Sequence, residues 1–244
     1  MEIPEAIPRL IKKGALFVIN DSAGKDSQAM KAVLKSLIPH EQLVIVHANL
    51  PEVEWAGNMD HIKKYAFDVP VFEVVGTKTF FEMVDHRKKF PSPAQRQCTS
   101  DLKRAPIQKF INNYAKEKGF KYVVNCMGLR AEESSSRANK EVFRFMKGNS
   151  AKHRVQYEWL PIHNFLLADV WRTIQEEGQE PHYAYALGMT RLSCCFCIMA
   201  NKNDLKIAAK HNPELLQRYI DKEEELNFTL SMSRVPLKDI IAEK

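Results

Sequence analysis

The stretch Ile19-Asn20-Asp21-Ser22-Ala23-Gly24-Lys25-Asp26-Ser27-Gln28 decides how this chain is read. It follows Ala15-Leu16-Phe17-Val18-Ile19, an apolar run short and β-rich enough to be a buried strand. It leads into residues 27–38, where Met30, Val33, Leu34 and Leu37 recur at helical spacing. The quoted residues therefore join a strand to a helix N-terminus. Such a junction offers unpaired N–H groups and the positive end of a helix dipole, which suits phosphate. Ser22, Ala23 and Gly24 are small enough for the backbone to curl close to a ligand, and Lys25 adds a positive charge. A Walker P-loop is excluded, because Lys25 is followed by Asp26 rather than Ser or Thr. An ordinary strand–turn–helix junction is the bland alternative. It leaves the coincidence of Gly, Lys, Asp and two Ser residues at a phosphate-suited position unexplained.

Working outward, the 244 residues allow one large domain, or a domain with an appendage. A hydrophobic content of 45% supports a normal core. No apolar run reaches membrane-spanning length, so no membrane partner is expected. The stretch Met1-Glu2-Ile3-Pro4-Glu5 is acidic and unlike a signal peptide, so a cytoplasmic location is expected. The net charge of +6 is compatible with a nucleic-acid or nucleotide partner.

Residues 3–13 read as a short helix. Gln42 to His47 and Val69 to Val75 read as strands, with a helical pattern from Trp55 to Phe67 between them. This β-α-β-α-β alternation implies a parallel, twisted α/β sheet with helices on both faces. Ligands in such sheets sit beyond the strand C-terminal ends. His47 and Asn49 lie at one such end and are candidates for an adenine or ribose pocket, a plain strand exit being the equal alternative. Residues 80–90 form an amphipathic helix broken by Pro91-Ser92-Pro93. Tyr122 to Met127 is a further strand running into Gly128, Arg130 and Arg137, whose arginines and serines fit anion binding. Residues 138–153 are polar and basic without aromatic interleaving, and read as a mobile insertion. Val155 to Ile162 is expected to add an edge strand, and from Leu167 the pattern is helical. The expected division is a nucleotide-binding α/β domain over 1–165 and a helical region over 166–244, both sharing one site.

Five cysteines are an odd set, which in a reducing compartment suggests metal or redox chemistry more than disulfides. Cys194 and Cys197 form a Cys-x-x-Cys pair with Cys195 inside it. Thiolates at this spacing hold a soft metal or one corner of an iron–sulfur cluster. Cys98, flanked by Arg96, Lys103 and Arg104, is the leading third ligand, and Cys195 is a further candidate. Cys126 ends a buried strand and reads as a core thiol. Iron–sulfur cluster, zinc, and packed or redox thiols all remain open on the residues alone.

Ser22-Ala23-Gly24-Lys25-Asp26-Ser27 resembles the PP-loop, Ser-Gly-Gly-x-Asp-Ser, of ATP pyrophosphatases. Ala23 stands where that pattern has its first glycine, a mild departure if its φ is negative. Four further blocks extend the resemblance to the phosphoadenosine phosphosulfate (PAPS) reductase-like branch. They are Cys98-Thr99-x-x-Leu102-Lys103-x-x-Pro106, Gly128-x-Arg130-x-Glu132-Glu133-Ser134-x-x-Arg137, Asp169-Val170-Trp171 through His182-Tyr183-Ala184-Tyr185, and Arg191-x-Ser193-Cys194-x-x-Cys197. Ser193 and Ile198 replace the usual Gly and Pro of the last block.

The resemblance implies a fold like the adenine nucleotide alpha hydrolases, ATP with Mg²⁺ as ligand, and cleavage between the α- and β-phosphates. Ser22, Ala23, Gly24, Lys25, Asp26 and Ser27 would hold the pyrophosphate, with Asp26 or waters on Mg²⁺. Arg130 and Arg137 would clamp phosphates or the acceptor, beside Gly128. Assimilatory PAPS reductases carry their catalytic cysteine in a C-terminal Glu-Cys-Gly-Leu-His segment. This chain has no cysteine after Cys197, which argues against that mechanism. Its compact form is similar to the ATP pyrophosphatases of DNA phosphorothioation systems (DndC- or SspD-type). These imply adenylation of a DNA phosphate, and a cysteine desulfurase and other modification proteins as partners. A sulfonucleotide (PAPS/APS) oxidoreductase and a non-catalytic nucleotide-binding subunit are the alternatives.

Overall fold

Strand β1 (Leu16–Asn20) has four successive buried residues, Leu16 to Ile19, so it is covered on both faces and sits inside the sheet. In this computed structural model, which describes residues 3–243, the sheet has six strands in the order β3-β2-β1-β4-β6-β5. The remaining strands are β2 (Leu43–Asn49), β3 (Val71–Val75), β4 (Tyr122–Cys126), β5 (Phe143–Phe145) and β6 (Val155–Trp159). β1 pairs in parallel with β2 and β4, and β4 in parallel with β6, whereas β5 joins β6 antiparallel. Met1 and Glu2 of the acidic N-terminal stretch lie outside the described residues.

The helices are α1 (Ala6–Lys12), α2 (Lys25–Leu37), α3 (Asn58–Lys64), α4 (Phe80–Arg87), α5 (Gln97–Thr99), α6 (Ala105–Glu117), α7 (Ser135–Ala138), α8 (Leu167–Glu176), α9 (Lys202–His211), α10 (Pro213–Leu226) and α11 (Leu237–Ala242). On α6, Ile111 and Ala115 pack with Leu16, Val18, Val44, Val46 and Val123 in one core cluster. The alternate residues Phe17, Ile19, Ile45 and Val124 are buried as well. Ala29 of α2 packs on Val170 and Ile174 of α8. None of the helices is long and apolar enough to cross a membrane, among the described residues.

The chain forms two compact units. The first runs through His47 and adds Gly57–Val74 and Ile107–His182. The second comprises Ala48–Ala56, Val75–Pro106 and the chain from Tyr183 onward.

Three sequence expectations change. The helix expected from Trp55 to Phe67 is confined to Asn58–Lys64. Gly57 enters it at φ +78, and Phe67 and Asp68 beyond it also take positive φ, so the backbone cannot stay helical there. β6 is not the edge strand, since β5 lies outside it. Residues 138–153 are not a featureless insertion either, and their basic residues are interleaved with two aromatic ones, Phe143 and Phe145, against the expectation. The segment holds β5 and a short 3-10 turn, Lys147–Asn149. Side-chain amides tie that turn down: Asn149 donates to Gln108 (2.8 Å), and Gln108 and Gln156 bond reciprocally (2.8 and 2.9 Å).

Candidate functional site

The order of the sheet sets the site. From β1 the chain builds outward to β2 and β3, then returns to β1's other side with β4. Loops leaving β1 and β4 therefore diverge at a switch point, where open α/β sheets bind ligands. Asn20 bridges the two strand ends, donating to Asn125 Oδ1 (2.6 Å) and the Cys126 carbonyl (2.8 Å).

Asp21 supports the loop from beneath. Its buried carboxylate accepts from the Ala23 N–H (2.9 Å), the Ser27 hydroxyl (2.9 Å) and Lys31 Nζ (2.5 Å). Burial works against its charge, but the Lys31 ammonium and these hydrogen bonds outweigh that and hold the carboxyl below its ordinary range. His47 Nδ1 donates to the Asp21 carbonyl (2.8 Å), so this histidine is buried against the loop backbone. Asn49 is the last residue of β2 and half-buried.

Ala23 takes φ +61, so the mild departure expected for it does not hold: an alanine occupies a left-handed position that favours glycine. Gly24 caps α2 without any side-chain cap bond, so the first-turn N–H groups are not satisfied by a capping side chain. Ser27 turns its hydroxyl to the Gly24 carbonyl (2.9 Å) and accepts from the Ser22 N–H (3.2 Å).

The β4 exit loop closes onto this junction. A Cβ on Gly128 would lie 3.0 Å from the Asp26 carbonyl oxygen, so only glycine allows the approach without displacing backbone. Arg130 is buried, and its Nε meets Asp26 Oδ1 at 2.6 Å. Lys25 Nζ lies 3.2 Å from Asp26 Oδ2. Asp26 thus holds two cations at the helix N-terminus. Both its oxygens already face a cation, so Asp26 as placed is an organiser of charge and does not fit as a vacant Mg²⁺ ligand. Arg130 also pairs with Glu132. Its backbone N–H donates to Glu133 (2.9 Å), and Glu133 pairs with Arg137. Arg137 is therefore joined to Arg130 through Glu133, while His163 Nε2 bonds the Arg137 carbonyl (2.9 Å).

The structure also recruits residues that the sequence does not single out. Gln28, Lys31 and Lys35 follow one another at three- and four-residue spacing, a stripe that reads as solvated. Yet Lys31 is buried on Asp21, and Gln28 donates to Gln179 Oε1 (2.8 Å) and the Glu180 carbonyl (2.9 Å). His61 approaches Gln28 Oε1 (3.3 Å) and packs edge-on against His182, ring centroids 5.3 Å apart. Burial, reinforced by the charge of His182, lowers the His61 pKa to about 4.

Within the second unit, Cys194 forms a β-bridge with Glu54, and the Cys195 N–H donates to the Val53 carbonyl (2.8 Å). Lys103 pairs with Glu54 (3.2 Å), and the charges of Cys194 and Cys197 act on it. Cys98 lies within electrostatic reach of Cys194 and Cys197. Burial pushes Cys194 and Cys195 up to about 12 and raises Cys98 as well. Among the described residues no three His, Cys, Asp or Glu side chains are grouped so as to hold a metal ion. As placed, Cys98, Cys194, Cys197 and Cys195 do not form a cluster or zinc cage. Cys126 is fully buried in β4.

The profile of the phosphoadenosine phosphosulfate reductase domain matches residues 17–200, three quarters of the chain. Among curated proteins, an uncharacterized 37.8 kDa protein from the gpa 5' region of Escherichia phage 186 is 29% identical over 144 residues. The alignment takes in 59% of this chain but only 42% of that protein. Among solved structures, Candida glabrata FMN adenylyltransferase superposes with a TM-score of 0.54 at 14% identity, over 82% of this chain and 60% of that one. Its complex with FMN and the ATP analog AMPCPP gives 0.52 at 14% identity, over 79% and 58%. At these identities the likeness is one of fold.

Proposed function

The chain belongs to the phosphoadenosine phosphosulfate reductase domain family, and on that premise we propose that it is an ATP pyrophosphatase that adenylates an acceptor phosphate. The observation that carries this reading is the pairing of Lys25 and Arg130 on Asp26, at a helix N-terminus with no capping side chain. Such a terminus binds phosphate through its N–H groups, and the two cations offset the charge of a polyphosphate. The bound ATP analog described for the fungal adenylyltransferase agrees with an adenine nucleotide as ligand.

In the proposed reaction an acceptor oxygen attacks the α-phosphorus. A new P–O bond forms as the bond to the α–β bridging oxygen breaks. Pyrophosphate leaves with the electron pair. Lys25 meets the charge that grows on it, and Arg130 stays oriented by Asp26 and Glu132. Mg²⁺ arriving on the nucleotide would supply further neutralisation. The acceptor in this reading is a DNA phosphate destined for sulfur insertion. Sulfur would come from a cysteine desulfurase acting with other modification proteins. No step is assigned to an iron–sulfur cluster, because the cysteines are not gathered as ligands.

The test is product analysis with ATP and DNA. Release of pyrophosphate and AMP, or transfer of AMP to DNA, supports the reading. Thiol-dependent sulfite release from PAPS would replace it with the sulfonucleotide oxidoreductase. ATP binding without turnover in the presence of DNA and the sulfur-delivery partners would replace it with the non-catalytic subunit.

A further inference from the structure

The outer edge of the first unit's sheet carries a feature the nucleotide site does not use. β5 reads Phe143-Arg144-Phe145, so its two phenylalanines share one face of the sheet and Arg144 takes the other. In register, Phe143 stands opposite Trp159 and Phe145 opposite Tyr157, which puts four aromatic side chains on that one face. They run from the buried Trp159 outward. Phe143 stacks on Tyr157 with centroids 5.1 Å apart and planes 18° apart, and Phe145 meets Tyr157 edge-on at 5.9 Å. Phe145 ends the series 54% exposed.

On the other face Arg144 is spent on the buried Glu158 (2.6 Å) and Arg154 is buried. The neighbouring Lys140, Lys147 and Lys152 are exposed, and their only acidic neighbour in the segment is Glu141. The 3-10 turn that carries Lys147 follows β5 directly and is anchored through Asn149 to Gln108, which bonds Gln156 on the Arg144 side of the sheet, so the lysine backbone is held at the end of this edge strand.

We propose that this aromatic and basic edge is a stacking platform for single-stranded DNA. It rests on the DNA-directed reading above and names where the strand is held and in what state. An exposed ring on a rigid strand offers a face to an unpaired base, whereas the bases of a duplex are already stacked. Three cations suit a short backbone track rather than the many phosphate contacts of duplex binding.

The experiment is fluorescence anisotropy of the intact protein with fluorescein-labelled (dT)20, a 20-base-pair duplex and (rU)20, read across a salt series. Pyrophosphate release is measured in parallel. The expected result is tighter binding of (dT)20 than of either competitor. Phe145→Ala should weaken it by about tenfold with the melting temperature unchanged, because stacking on one base is lost. Lys147→Glu with Lys152→Glu should lower the salt slope by roughly 1.4. Equal or tighter binding of the duplex or of (rU)20 overturns the proposal, as does a Phe145→Ala protein that binds (dT)20 unchanged. A wild-type dimer that Phe145→Ala converts to monomer would assign the edge to a second copy of this chain and also overturns it. Pyrophosphate release that fails while Phe145-dependent (dT)20 binding persists would remove the adenylation reading and leave this surface standing.

Discussion

Gly128 lies against Asp26 so closely that a Cβ at position 128 would sit 3.0 Å from the Asp26 carbonyl oxygen and 3.2 Å from the Ser27 nitrogen. The two residues are 102 positions apart, Asp26 in the first turn of α2 after β1 and Gly128 on the loop that leaves the adjacent parallel strand β4. The contact is backbone to backbone, so no side chain can swing aside to relieve it. Everything proposed for the site depends on these two segments meeting.

Gly128→Ala should therefore press the start of α2 outward. A destabilisation of about 1–3 kcal/mol is expected from overpacking, together with weaker ATP binding. Thermal denaturation and calorimetric titration with ATP measure the two effects. Unchanged values in both would show that the two segments yield freely.

Lys25→Ala removes one of the two cations on Asp26 but leaves Arg130 to pair with it, so the fold should survive. Pyrophosphate release should fall by roughly a hundredfold or more, as expected for the loss of a charged group that stabilises the leaving group. A variant with normal melting and undiminished release would exclude the loop as the phosphate site.

Ala23→Gly tests the left-handed residue of the loop. Ala23 holds φ +61 with its side chain buried. Left-handed backbone costs a non-glycine residue roughly 1–2 kcal/mol, part of which glycine returns through the greater freedom of its unfolded chain. The variant should be neutral to about 1 kcal/mol more stable. A clear loss of stability would mean that the buried methyl group contributes more than the backbone strain costs.

Stability should rise with pH across the acid range, in two windows. His61 is lowered to about 4 against an ordinary value of 6.5, so the unfolded chain binds its proton first. Its contribution is complete above 6.5 and fades as the pH falls towards 4. It is on the order of 1 kcal/mol once solvent screening of the partly exposed ring is allowed for. Asp21 is lowered from 3.8, so its contribution is present above 3.8 and is lost as the pH falls through its lower folded value. Urea denaturation at pH 7, 5 and 4 should show the first window, and His61→Gln should flatten it. A stability that is constant from pH 7 to 4 would contradict the burial assigned to this ring.

The sequence by itself determined the sheet and the strand–turn–helix junction between β1 and α2. Both are local signals: apolar runs such as Leu16 to Ile19, and small and charged residues at consecutive positions of one turn. Asp21, Lys31 and His61 were not legible in the same way. Lys31 stands in a polar stripe of α2 that nothing local distinguishes from a solvated one, and its burial follows from the position of Asp21 below it. Residues 143–145 were too few to announce a strand, and became one only because β6 supplied an antiparallel partner. The sequence spacing of Cys194 and Cys197 announced a pair of ligands. The tertiary structure decided where those thiols stand: Cys194 on a β-bridge with Glu54 and within electrostatic reach of Cys98, with no group of three metal-ligating side chains among the described residues. Spacing along a chain fixes which residues can share a turn, whereas burial and charge pairing depend on residues a hundred positions away, and those only folding brings together.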